Sequence, residues 1–240
     1  MGELLRTEQL TKHFRGLVAN EAVDFSLGEG ELRAIIGPNG AGKTTFISMI
    51  SGHLAPTSGE IWYRGKSVTG LSIPQRARLG IARKFQSPQL FGALSVRENL
   101  ELAVLATPRP SAQRSRRIDE VLGLVRLSEH ADVPADRLSH GQRQWLEVGL
   151  LIANDARLLL LDEPTAGMTA EETHATGELT QTLVREFGVS VIVIEHDINF
   201  IRDLRAPVTV LHLGRVLVEG SFGEIADDQQ VREVYLGGSA

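Results

Sequence analysis

The sequence predicts an α/β fold: a parallel sheet covered by helices on both faces and interrupted by an all-helical insert. Three observations carry this. Two continuous apolar runs, "LLLL" (Leu158 to Leu161) and "VSVIVI" (Val189 to Ile194), have the length of strands buried on both faces. Each precedes a segment with helical spacing, so strand and helix alternate as in a parallel sheet. Between residues 87 and 153 the strand signal stops and three helical stretches follow one another.

Taken in order, residues 4 to 36 read as strands: "AVDFSL" alternates, and "ELRAIIG" is a short apolar run ending in glycine. "KTTFISMI" has helical spacing and stops at Gly52, and "GEIWYRG" is a strand between glycines. Pro74 opens a short helix, "PQRARL", and "IARKF" returns to strand. Ser95 and Glu98 have capping-box spacing at the head of the helix "SVRENLELAVLA". A "TPRPSAQ" loop leads to a second helix, "RSRRIDEVLGLVRL", and a third begins after Ser139. Then "RLLLLDE" and "VSVIVIE" are strands, "EETHATGELTQTLVREF" and "DINFIRDL" helices, and "VTVLHLGRVLVEG" a hairpin around Gly214. Three parts follow: residues 1–86, residues 87–153 as the helical insert, and residues 154–240, which end in the hairpin and short helices.

A chain of 240 residues suits one large or two small domains and buries a sizeable core. Lys and Arg number 25 against 30 Asp and Glu, and the net charge of −5 argues against a nucleic-acid polymer as the main partner. The lack of cysteine excludes disulfides and thiolate metal sites and agrees with a reducing cytoplasm. No apolar run approaches the roughly 20 residues of a membrane span. The start, "MGELLRTEQL", has no signal-peptide apolar region, and Arg6 stands where a myristoylation motif needs Ser or Thr. The chain by itself therefore reads as soluble.

"GPNGAGKTT", Gly37 to Thr45, fits the phosphate-binding pattern G-x-x-x-x-G-K-[ST] through Gly37, Gly42, Lys43 and Thr44. Its glycines let backbone N–H groups wrap a phosphate, Lys43 neutralises phosphate oxygens, and the Thr44 hydroxyl is a ligand for Mg²⁺. The motif sits between a strand and a helix, as that mechanism requires. "LLLLDE" puts Asp162 and Glu163 at the carboxyl end of a buried strand, the edge where open α/β sheets bind ligands. There Asp162 can hold Mg²⁺ and Glu163 can polarise an attacking water. His196 in "IEHD" and Gln86 in "KFQSPQLF" end strands too, within reach of the γ-phosphate, the metal or the water. Taken singly, both also suit a structural or solvated role. Phe14 is a candidate to stack on an adenine, although a single Phe near a strand is commonly core. In "LSHGQ", Ser139 reads as an N-cap and Gly141 leaves backbone exposed, so this helix start is a second anion grip.

The order of these elements within one chain resembles the ATP-binding subunits of ABC transporters, over essentially its whole length. The resemblance implies the ABC ATPase fold, a P-loop NTPase parallel-sheet core with an antiparallel β subdomain and the helical insert. It implies ATP and Mg²⁺ as cofactors. Gly37, Pro38, Asn39, Gly40, Ala41, Gly42, Lys43, Thr44 and Thr45 look like the Walker A loop, Gln86 like the Q-loop, and Ser139, His140, Gly141 and Gln142 like the signature. Leu158 to Asp162 look like Walker B, with Glu163 as catalytic base, His196 as switch histidine and Phe14 as the adenine-stacking aromatic. In that family two cassettes pair head to tail, so the signature of one covers ATP on the Walker A of the other.

Two positions depart from the family pattern. His140 replaces a usual Gly, and Ala166-Gly167-Met168-Thr169 stand where Ser-Ala-Leu-Asp is common. Finer resemblance, in "LSHGQRQWLEVG", "TAGMTAEET" and the ending "VREVYLG", is to importers of branched-chain amino acids and amides, urea importers above all. It implies a second, different ATPase as partner, integral-membrane permeases, and a periplasmic solute-binding protein reached indirectly. It also implies a place on the cytoplasmic face of the plasma membrane. A P-loop kinase would not need "LSHGQ", and DNA-repair relatives carry a long coiled coil that the roughly one hundred residues between the two phosphate grips leave no room for.

Overall fold

The computed structural model describes residues 2–84, 90–107 and 110–236. Strands β1 (Glu3–Phe14) and β2 (Leu17–Gly28) form a long hairpin, followed by β3 (Leu32–Ile36) and helix α1 (Lys43–Ser51). Then come β4 (Ser58–Tyr63), β5 (Lys66–Ser67), α2 (Ile73–Arg78) and β6 (Ile81–Lys84). Helices α3 (Val96–Leu105), α4 (Ser111–Leu124) and α5 (His140–Ala153) follow consecutively. The chain then alternates through β7 (Leu158–Asp162), α6 (Ala170–Arg185), β8 (Ser190–Ile194) and α7 (Ile198–Leu204). It ends with β9 (Val208–His212), β10 (Arg215–Gly220), α8 (Phe222–Asp227) and α9 (Gln229–Leu236).

Six strands form one sheet in the order β10-β9-β3-β8-β7-β6, parallel throughout except for the antiparallel β9–β10 pair. A second, antiparallel sheet has the order β2-β1-β4-β5. The central strands are apolar on both faces over residues 34–36, 158–161 and 191–194 because the two faces enter different cores. Ala34, Leu159, Leu161, Val191 and Val193 join the cluster that holds the insert helices and α6. Ile35, Leu158, Leu160, Ile192 and Ile194 join the cluster shared with α1 and the antiparallel sheet. Burying each of the Leu, Ile and Val side chains contributes about 1.5–3 kcal/mol. A polar residue at any of these positions would damage one core or the other.

The expected α/β fold, with its antiparallel sheet and helical insert, is the observed one. The Ser95 capping box closes as read: Glu98 N–H donates to the Ser95 hydroxyl at 3.2 Å and Ser95 N–H to the Glu98 carboxylate at 2.7 Å. The hairpin turns through Leu213 and Gly214, both with positive φ (47° and 79°), the geometry that suits the right-handed twist of β9 and β10. Two details differ. Helix α4 starts at Ser111, inside the stretch read as loop, because Pro110 stands just before it with φ −57°, a value already suited to helix entry. It also ends at Leu124, short of the "VRL" read as its last turn. The expected boundary at residue 87 falls outside the described residues.

One buried cation holds α1 in place. Arg76, only 1% exposed, donates from Nη1 to the Met49 and Ile50 carbonyls at 2.6 and 2.7 Å, and from Nη2 to Thr69 O at 2.8 Å. The last carbonyls of α1 have no partner within the helix, and the helix dipole makes that end negative. The guanidinium answers both and fixes the helix that begins at Lys43.

Candidate functional site

The loop from Gly37 to Gly42 joins β3 to α1, as its sequence requires. Gly42 has φ 98°, and a Cβ there would stand 2.3 Å from the Ala19 carbonyl oxygen. Both the backbone conformation and the close approach demand glycine. Gly42→Ala is expected to cost about 2 kcal/mol, lowering the unfolding midpoint by about 4–8 °C. An unchanged midpoint in a thermal melt would contradict that packing. No side chain caps α1 and its first turn has no acid, so its leading N–H groups face the loop without a competing carboxylate.

Lys43 is buried, and its ammonium donates to Gly37 O at 2.7 Å and Pro38 O at 3.0 Å. Burial pulls its pKa down, while the negative charges of Glu163 and Asp162 push it back up. Those carboxylates lie at the carboxyl end of β7, level with Ile194 of β8. Glu163 adopts φ 50° and its N–H donates to Ile194 O at 2.8 Å. This left-handed turn is uncommon for a residue with a Cβ and re-aims the carboxylate off the strand. Glu163 Oε1 lies 3.0 Å from His196 Nε2. Asp162 is 2% exposed; its Oδ2 pairs with Arg83 at 3.1 Å, and its buried Oδ1 has no hydrogen-bond partner among the described residues.

Phe14, Asn39 to Thr45, Glu163 and His196 line one cleft of about 310 Å³. Phe14 is 41% exposed rather than core, and Lys12 Nζ sits 5.2 Å from its ring centre. The fold thus brings together the aromatic, the phosphate loop, the acid and the histidine. It does not bring the "LSHGQ" residues to them. Ser139 caps α5, its hydroxyl accepting from Gln142 N–H at 3.2 Å, and the Gln142 amide returns the bond to Ser139 N–H at 2.9 Å. His140 Nε2 lies 3.1 Å from Ala166 O, so the residue that replaces a glycine ties this turn to the loop after Glu163. Thr169, in place of the common Asp, caps α6. Gln86 lies outside the described residues.

Four residues near these groups were not singled out in the sequence. Buried Glu195 accepts from Thr165 N–H at 2.8 Å and from its hydroxyl, which clamps the loop after Glu163. Arg83 bridges Asp162 and Ser48 of α1. Burial lifts the pKa of Tyr235 to about 12, against the opposing pull of the Gly37 backbone. Glu172 reaches the Ser139 turn. Each joins segments distant in the chain, so spacing along the sequence carries no signal of them. Only the ending "VREVYLG" pointed at Tyr235.

A parallel sheet that offers a glycine-wrapped lysine, a helix start and a carboxylate to one cleft, with a second carboxylate buried beside it, defines a P-loop nucleotide-binding protein. The chain belongs to the ABC transporter family, whose family model matches residues 20–166, and it is an ATP-binding cassette, an enzyme that hydrolyses ATP to drive transport. It is 35% identical over 238 residues to the lipopolysaccharide export system ATP-binding protein LptB of Acidithiobacillus ferridurans, covering 99% of this chain and 98% of that one. It is 34% identical over 249 residues to the high-affinity branched-chain amino acid transport ATP-binding protein LivG of Salmonella typhimurium, covering 98% of each. The crystal structure of MJ1267, an ATP-binding cassette of an ABC transporter in its ADP conformation, superposes with a TM-score of 0.88 at 27% identity, covering 99% of this chain and all of that one. ABC ATPases dimerise and work with membrane permease subunits. No helix among the described residues is long and apolar enough to cross a membrane.

Proposed function

We propose that this chain is the ATPase subunit of an importer for branched-chain amino acids or a related amide, urea in particular, working at the cytoplasmic face of the membrane. The likeness to LivG supports the import reading, and the ATPase reading is supported by Phe14, the phosphate loop, Glu163 and His196 lining one cleft while Ser139 and Gly141 stand outside it. One chain holds a complete nucleotide seat and a separate grip for another chain's nucleotide.

In the cleft, Phe14 stacks on the adenine, and the N–H groups of residues 37 to 45 wrap the phosphates. Lys43 exchanges its two carbonyl bonds for phosphate oxygens, which carry full charge and bind an ammonium more strongly. The Thr44 hydroxyl, the free Asp162 Oδ1 and the Gln86 amide would hold Mg²⁺, which when bound screens the β- and γ-phosphate charge. Glu163 takes the proton of the water that attacks the terminal phosphorus, and His196 holds the Glu163 carboxylate in place. ADP and phosphate leave. Ser139, His140, Gly141 and Gln142 of this chain close over the γ-phosphate of a second cassette, and its own γ-phosphate is closed by the partner's signature. Residues 1–86 and 154–240 form the nucleotide core, and residues 87–153 form the arm that meets the permease. The solute passes through the permease after delivery by a periplasmic binding protein and touches no residue here.

The natural partner is a different cassette. Mixing Glu163→Gln with Ser139→Ala tests both the trans arrangement and the partner, since each variant alone is nearly inactive. A mixed dimer carries one intact site of two, so turnover returns only where the two variants pair with each other. Little rescue is expected at low concentration, growing with protein and ATP, because bound nucleotide bridges the subunits. Strong rescue at low concentration would mean an obligate homodimer. No rescue in demonstrated dimers would remove Ser139 from the trans site.

The LptB relative supports a second reading, an export system. Uptake of labelled urea and of leucine by cells lacking this gene separates the two. Loss of either uptake supports import, and normal uptake of both with a defective outer membrane supports export.

A further inference from the structure

Glu172 is the third residue of α6, and its carboxylate spans two helix starts. Oε2 accepts from Thr169 N–H at 3.0 Å and completes the capping box of its own helix. Oε1 accepts from the Ser139 hydroxyl at 3.0 Å and from Gly141 N–H at 3.2 Å, at the start of α5. The carboxylate can only accept, so the single Ser139 proton is committed to Glu172, while the Ser139 oxygen accepts from Gln142 N–H. A Cβ at residue 141 would stand 2.5 Å from Oε1, so only glycine admits the carboxylate here. The bond from Thr169 N–H also holds the Glu172 carboxyl below the usual range, which keeps it an anion at neutral pH.

A phosphate oxygen gripped by the signature needs the same two donors. A hydroxyl and an N–H each have one proton to give, and two anions at hydrogen-bond distance repel. We propose that Glu172 is an internal competitor for the phosphate site of the signature. It holds Ser139 and Gly141 while the cassette stands alone and swings out when the γ-phosphate of the partner's ATP arrives. The proposal rests on the trans reading of Ser139 and Gly141 given above. Closure then carries a cost set by this chain, and that cost is tied to the catalytic loop. The loop runs from Glu163 to the Thr169 cap, with Ala166 N–H donating to Glu163 O at 3.2 Å and Ala166 O beside His140. Releasing Glu172 therefore frees the loop next to the base of the same chain when the opposite site fills.

The test measures ATP-driven dimerisation by sedimentation velocity in a Glu163→Gln background, where hydrolysis cannot empty the dimer. Adding Glu172→Gln keeps the capping-box geometry but removes the charge, and hydrogen bonds between neutral groups are about half as strong as charge-assisted ones. The ATP concentration at half-dimerisation is expected to fall about fivefold. Glu172→Ala, with circular dichroism to confirm that α6 persists, is expected to move it in the same direction. Ser139→Ala should abolish pairing in every background. Pairing by the Glu172→Gln protein where Glu163→Gln alone fails to pair would support the competitor most directly. An unchanged or raised midpoint in both Glu172 variants, with Ser139→Ala still abolishing pairing, would overturn the competitor and leave the trans grip standing. Pairing that survives Ser139→Ala would overturn the grip itself. No pairing in any variant at saturating ATP would overturn the competitor, since its removal would have released nothing.

Discussion

Glu163→Gln is expected to lower ATP turnover in the assembled transporter by about 10²–10⁴-fold, the usual worth of a general base, while ATP still binds. The substitution keeps the shape of the side chain and removes its ability to take a proton. The contact with His196 at 3.0 Å survives in outline, because an amide still offers an oxygen or an N–H to the ring. The left-handed turn at Glu163 does not change either, since glutamine has the same Cβ. Steady-state phosphate release alongside equilibrium ATP binding separates the two effects. Near-normal turnover would remove Glu163 from the chemistry, and a parallel loss of binding would mean that the residue shapes the cleft instead.

Lys43→Ala is expected to abolish both nucleotide binding and turnover. Lys43 is the one lysine of its loop, and its ammonium already lies among the carbonyls that surround the phosphate seat. At a ligand concentration of about 100 Kd, the unaltered protein gains roughly 2.7 kcal/mol, or about 5–11 °C in unfolding midpoint. The variant should gain almost none at that ATP concentration. Without ATP its midpoint should stay near that of the unaltered chain, because the lost cation was already disfavoured by burial. An ATP-dependent rise of equal size in both proteins would show that Lys43 does not hold phosphate.

The elements that could be read from the residues alone are those whose cause is local. "LLLL" and "VSVIVI" had to become central strands, because runs of that length with no polar face are stable only where both faces are covered. The caps at Ser95 and Ser139 and the turn at Gly214 follow from contacts between residues a few positions apart. The phosphate loop belongs with them, since its backbone, its lysine and its helix start are contiguous. The fold, and most of the cleft, were therefore legible in the chain. Packing decided the rest. Whether Phe14 would be core or exposed beside the loop depended on where the β1–β2 hairpin folded over residues 39 to 45. Arg76 on the end of α1, Arg83 on Asp162 and Glu172 on Ser139 join positions 26 to 79 residues apart. Each of these is an ordinary charged residue in a helix or strand, and it gains a role only when another element presents a donor or acceptor it can meet. The separation of Ser139 from the cleft has the same origin. The start of α5 is set against α6, while the cleft is set by β1, β2, β3, β7 and β8, and only the packing of the helices against the sheet fixes how those two places are disposed.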